Sequence, residues 1–95
     1  MRIKWLKEAE KDLDSVHEYI NQQDKPNAAV ATIIKIIDSV KALAAHPVIG
    51  RVGRVAGTRE LIITDLPYII PYRIKKHTVE VLRVLHTSRL WPENF

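Results

Sequence analysis

The chain has 95 residues, with Lys+Arg 15 against Asp+Glu 11, a formal net charge of +4 at pH 7 and no cysteine. That length supports one domain, residues 1–95, with one core and no room for a separate regulatory module. The missing cysteines exclude disulfides and thiolate metal sites and suit a reducing cytoplasm, the expected location.

Residues 2–6 (RIKWL) alternate, with Ile3 and Trp5 on one side, and predict a short strand. From about Lys7 to Gln22, Ala9, Leu13, Val16 and Ile20 recur at steps of four, three and four. They form one face of an amphipathic helix, with Lys11, Asp12, Asp14 and Glu18 expected mostly outside it. Residues 21–27 break the pattern, and Pro26 suits the first turn of a second helix. Its stripe is Ala29, Ile33, Ile36, Val40 and Leu43, so the two helices are expected to lie antiparallel with apolar faces together.

All three glycines, Gly50, Gly53 and Gly57, fall in one window interleaved with Arg51, Arg54 and Arg59. Such a window reads as a loop able to bring amides and guanidinium groups to a polyanion. It also divides the charge. Residues 1–50 carry seven Lys/Arg and seven acids, and residues 51–95 carry eight Lys/Arg and four acids. A neutral helical half joined to a basic half suggests a surface for nucleic acid or an acidic protein.

Past Pro47 the period becomes two: RELIIT (59–64), YIIPYRI (68–74) and TVEVLRVLH (78–86) predict strands, with Lys75, Lys76 and His77 as a hairpin turn. Pro71 sits awkwardly, because it removes a ladder donor and ordinarily marks an edge or a bulge. The last strand is apolar on both faces and is expected to be central. The order β-α-α-β-β-β implies an α+β domain, a helical hairpin on a largely antiparallel sheet.

The segments AEKDLDSVHEYI, HPVIGR, GTREL, PYIIPYR and VEVLRVLHTSRLWP, in this order over nearly the whole chain, resemble the RelE/ParE superfamily of toxins from bacterial type II toxin–antitoxin systems. The resemblance implies the same β-α-α-β-β-β arrangement and a growth-inhibiting toxin neutralised by a cognate antitoxin. Two mechanisms occur on that scaffold: RelE-like members cleave mRNA in the ribosomal A site, and ParE-like members inhibit DNA gyrase. The uninterrupted helical hairpin followed by GTREL, PYIIPYR and VLHTSR looks more like the ParE side.

Cleavage of RNA through the 2′-hydroxyl needs a proton acceptor, a proton donor and cations around the transition state. His86, Arg83 and Arg73 are the catalytic candidates if the chain is a ribonuclease, with Glu60 or Tyr72 as a proton-transfer partner and Arg59 and Arg89 as further cations. His86 also reads as a strand-end histidine bonded to nearby backbone, and Glu60 beside Arg59 as part of an ion-pair network. For a binding protein the candidates are Arg51, Arg54, Arg59, Tyr72, Arg89 and Trp91. Arg51 and Arg54 read equally as solvated loop cations. At least one of Tyr68 and Tyr72 is expected in the core, leaving the other to stack on a base. Trp91 and Phe95 either fold back on the sheet or dock on a partner. The four histidines, His17, His46, His77 and His86, lack metal-ligand spacing, and no apolar run approaches the roughly 20 residues that cross a bilayer. No metal, other cofactor or membrane partner is expected.

Overall fold

The computed structural model describes residues 1–88 and 91–95. Its elements are β1 (Arg2–Trp5), α1 (Lys7–Asn21), α2 (Pro26–Lys41) with a 3-10 turn over Ala42–Ala44, and five further strands. These are β2 (Arg51–Val52), β3 (Arg59–Ile62), β4 (Tyr68–Lys75), β5 (Thr78–Val81) and β6 (Leu85–His86). Glu8 and Glu10 in the first turn of α1 complement the helix dipole, and Pro26 opens α2, where its missing N–H costs nothing.

The sheet order is β1-β5-β4-β3-β2, with β6 also paired to β4. Pairing is antiparallel except between β1 and β5, which run parallel. The α+β arrangement is therefore the expected one, with the two-residue strand β2 added inside the glycine window. Lys76 and His77 both take positive φ, 49° and 61°, and Lys75 pairs with Thr78. This is the primed two-residue turn whose twist matches that of its strands.

The helices cover one face of the sheet. Ala9, Val16, Ile36, Val40 and Leu43 meet Leu61, Ile70, Tyr72, Val79 and Val81 in the main core, with Trp5 packed at its side. Strand alternation sends Glu60, Ile69, Pro71, Arg73 and Glu80 to the opposite face. Ile69 and Leu85 pair on that face and are buried outside the main cluster.

Pro71 bears on two expectations. It lies in β4, which is paired on both sides and is not an edge, but the register from Tyr72–Val81 to Ile69–Leu85 gains one residue on the facing run, the bulge that the proline leads one to expect. The run 78–86 is not one strand, because it breaks at 82–84 opposite Pro71. There Leu82 N–H donates to the Pro71 carbonyl at 2.9 Å, but Pro71 has no N–H to return. The next amide turns away from the ladder, and Val84 N–H donates to Asp12 Oδ2 on α1 at 2.9 Å. Asp12, expected mostly outside the buried face, is 8% exposed. Its carboxylate accepts from the Val84 amide, which has left the ladder, and binds Arg83 in addition.

Candidate target-binding surface

The glycine–arginine window folds around an acid of its own chain. Gly53 N–H donates to the Thr58 carbonyl at 2.8 Å, closing the loop, and Thr58 Oγ1 donates to the Val55 carbonyl at 2.6 Å. Gly57 takes φ 78°, a conformation open to glycine and strained for most residues. The loop hangs over Glu60, which is 2% exposed. Arg54 N–H donates to Glu60 Oε2 at 2.8 Å, and Arg51 Nε donates to Oε1 at 3.0 Å. Arg51 Nη2 and Arg54 Nε complete the pairing at 2.9 and 3.4 Å. Burial pushes the Glu60 carboxyl upward, but the Arg54 amide, the Arg51 hydrogen bond and the two charges together outweigh it. The group is held below the usual glutamate range. The anion that this loop is built to receive is thus internal.

Arg59 does not pair with Glu60, its neighbour in sequence. Its side chain lies on the other face and donates to the carbonyls of Gly50 at 2.8 Å and Val48 at 3.3 Å. Tyr72, a candidate for target contact, is 0% exposed. Its hydroxyl donates to the Pro47 carbonyl at 2.7 Å and accepts from Gly50 N–H at 3.0 Å. A Cβ on Gly50 would come within 2.6 Å of the Tyr72 ring and hydroxyl, which accounts for glycine there. Tyr68 is buried as well, so neither tyrosine offers a face for a base to stack on. Burial raises both phenols above their ordinary range. Trp91 folds back: the Arg54 guanidinium lies 3.7 Å from its ring centroid, a cation–π contact. Arg89 lies outside the described residues.

Of the three ribonuclease candidates, Arg73 lies on the face away from His86, and Arg83 is tied to Asp12, which lines the cleft around His86. His86 pairs with Tyr68 across β6 and β4, and their rings meet edge to face at 5.5 Å on the helix side of the sheet. Arg73 projects from the opposite face and donates to Glu80 at 2.6 Å. Arg83 donates to both oxygens of Asp12, Nε at 2.7 Å and Nη2 at 3.2 Å. Around His86 is an open cleft of about 370 Å³, lined also by Ser15, Tyr19, Tyr68 and Ser88. Ser88 N–H donates to His86 Nδ1 at 3.1 Å, so the neutral ring carries its proton on Nε2. Tyr19, which sequence reasoning passed over, is 59% exposed at the rim. Its signal was a large aromatic outside the apolar stripe of α1.

Among the described residues, no group of three or more His, Cys, Asp or Glu could hold a metal ion. No described helix is long and apolar enough to cross a membrane.

A helical hairpin on one face of a mixed sheet, with a basic loop and strand end, is the architecture of small single-domain toxins expected from the resemblance. The model of the family described as "ParE toxin of type II toxin-antitoxin system, parDE" matches residues 3–91. A curated protein of Sinorhizobium fredii (strain NBRC 101917 / NGR234), named "Putative toxin Y4kP", is 46% identical over 92 residues, covering 97% of this chain and 94% of that protein. A solved structure described as "Chromosomal ParDE TA system from P. aeruginosa" superposes with a TM-score of 0.84 at 30% identity, covering 90% of this chain and 95% of that one. The chain belongs to the ParE toxin family of type II toxin–antitoxin systems.

Proposed function

We propose that this toxin arrests bacterial growth by inhibiting DNA gyrase in the cytoplasm, acting as a binding inhibitor, and that a cognate antitoxin neutralises it. Family membership supports the toxin role, and the relative described as a ParDE system supports the antitoxin partner. The observation that favours gyrase over RNA cleavage is the dispersal of the candidate catalytic groups. Arg73 is on the face away from His86, Arg83 is held bidentate by Asp12, and Glu60 and Tyr72 are spent inside the protein. A phosphorane-like transition state needs its cations preorganised around one phosphate, and these guanidinium groups already have carboxylates. The second reading, a ribosome-dependent mRNA endoribonuclease, rests on His86 at the wall of an open cleft that Asp12, the partner of Arg83, also lines.

The test is a pair of assays with purified toxin, gyrase supercoiling and mRNA cleavage on ribosomes, each repeated with His86→Gln. For an inhibitor, the substitution removes one contact worth less than about 2 kcal/mol, and growth arrest and gyrase inhibition persist. For a ribonuclease, loss of a general acid or base costs roughly 10²–10⁴-fold in rate. A folded His86→Gln protein that binds its antitoxin and has lost all toxicity would overturn the gyrase reading. So would wild-type protein that cleaves mRNA on ribosomes and leaves supercoiling untouched.

A further inference from the structure

The cations singled out from the sequence lie mostly in the basic half, yet the structure pairs Arg51, Arg54, Arg73 and Arg83 with buried or half-buried carboxylates. Four of the cations without a carboxylate partner among the described residues lie together elsewhere, across the junction of the two halves. The register sets Arg2, Thr78 and Lys75 in one row across β1, β5 and β4, and Lys4, Glu80 and Arg73 in the next. Side chains in these rows project from the face opposite the helices. Lys76 follows at the tip of the β4–β5 turn.

Arg2, Lys4, Lys75 and Lys76 are all exposed, and none forms an ion pair among the described residues. They line one open groove of about 650 Å³ at this end of the sheet. With strands about 4.8 Å apart and about 3.3 Å per residue, the two rows occupy roughly 10 Å by 7 Å. Two carboxylates line the same groove, Glu10 of α1 and Glu80, and Glu80 is already engaged. The Arg73 hydrogen bond holds it below the usual range against the effect of burial, and the Arg73, Lys75 and Lys4 charges add to the same shift. Subtracting the Arg73–Glu80 pair leaves four cations against one carboxylate, Glu10, on one small surface.

We infer that this end of the sheet is a docking surface for the phosphate backbone of duplex DNA, contacted through Arg2, Lys4, Lys75 and Lys76. The chemistry of the patch selects this occupant. An acidic protein partner ordinarily buries an apolar or aromatic anchor at the centre of its interface. Here the centre is Thr78 and the Arg73–Glu80 pair. Single-stranded nucleic acid is gripped by exposed aromatic rings on which bases stack. Trp5 and Ile3 do line the groove, but both are partly buried and packed against the core, which leaves no free ring for a base. What remains is a sequence-independent contact with a dense line of phosphates. Duplex DNA presents about one charge per 1.7 Å of axis, so a patch roughly 10 Å long faces about six. This inference does not depend on the gyrase reading, because the contact belongs to the toxin chain alone.

The test is fluorescence anisotropy of a labelled 20-base-pair duplex of arbitrary sequence with the full-length toxin, titrated between 50 and 200 mM salt without gyrase or antitoxin. Four phosphate contacts give a slope of log K on log salt of about −3.6, a loss of about 150-fold over that range. Lys4→Ala with Lys75→Ala should bring the slope to about −1.8, and Lys11→Ala with Lys41→Ala on the helices should leave it unchanged. All four residues are exposed, and circular dichroism confirms that each variant is folded. The inference is overturned by no binding at 50 mM salt, by equal loss from the helix pair, or by tighter binding of poly-glutamate or single-stranded RNA than of the duplex. Gyrase inhibition that persists in the Lys4/Lys75 variant leaves the DNA contact standing and separates it from the inhibitory surface.

Discussion

The same open face of the sheet carries cations of two kinds. At the β2–β3 end, Arg51 and Arg54 close over Glu60, which is 2% exposed, and Arg54 is covered further by Trp91. At the β1–β5–β4 end, Lys4 and Lys75 flank a glutamate that Arg73 has already claimed, and they face solvent. The first group is built into the structure, where two arginines share one buried carboxylate and the Gly53, Arg54 and Thr58 amides close the loop. The second group is available to something outside. Formal charge alone therefore does not rank the two ends, because a cation with a buried carboxylate a few ångströms away attracts less at a distance than one without.

If the paired cations are structural, removing their acids should cost stability, and the largest loss should come from Asp12. Asp12→Ala leaves Arg83 without a partner and orphans the Val84 amide, for an expected loss of about 3–5 kcal/mol. Urea denaturation measures it, and a loss below about 1 kcal/mol would mean that the pair is not buried in any energetic sense.

Glu60→Gln should cost less, about 1–3 kcal/mol, because Arg51 and Arg54 can turn to water. The pH dependence sharpens this. A carboxyl held low in the folded protein contributes stability above its unfolded value, near 4.5, and loses it as pH falls through the lower folded value. The stability gap between wild type and Glu60→Gln should therefore be widest above about pH 4.5 and shrink on acidification. A gap that widens as pH falls would reverse the assignment.

Tyr72→Phe should cost about 1–2 kcal/mol by leaving Gly50 N–H and the Pro47 carbonyl unsatisfied, which calorimetry detects as a drop of several degrees in Tm. Smallest of all, Lys4→Ala and Lys75→Ala should each change stability by less than about 0.5 kcal/mol, since they touch nothing inside. A destabilised Lys75→Ala protein would erase the contrast between the two ends.

Much of the candidate site was legible as residue types and little of it as pairings. Glu60 and the window arginines were recognisable as an ion network, but adjacency suggested Arg59 as the partner. In a strand, neighbours point to opposite faces, so Glu60 meets Arg51 across the register and Arg59 turns to the Gly50 carbonyl. Asp12 could have been found from its spacing. It stands three residues after Ala9 and four before Val16, on the buried face of α1, where an acid needs a partner. Arg2 and Lys4 could not have been found, because nothing local says that the first strand lies parallel beside β5.

By itself the sequence determined the element order, the helical hairpin, the β4–β5 turn and the α+β class, because each follows from local periodicity and turn chemistry. It carried the family resemblance as well, since the order of segments is a property of the chain. Only the tertiary structure decided which charges cancel. Arg83 and Asp12 are 71 residues apart in sequence, and they meet where the run after β5 leaves the ladder beside Pro71 and passes under α1. Arg2 meets Lys75 because β5 lies between their strands. Counter-charges act over a few ångströms and are assembled by long-range register, so a linear count of lysines and arginines could not locate the surface that remains charged.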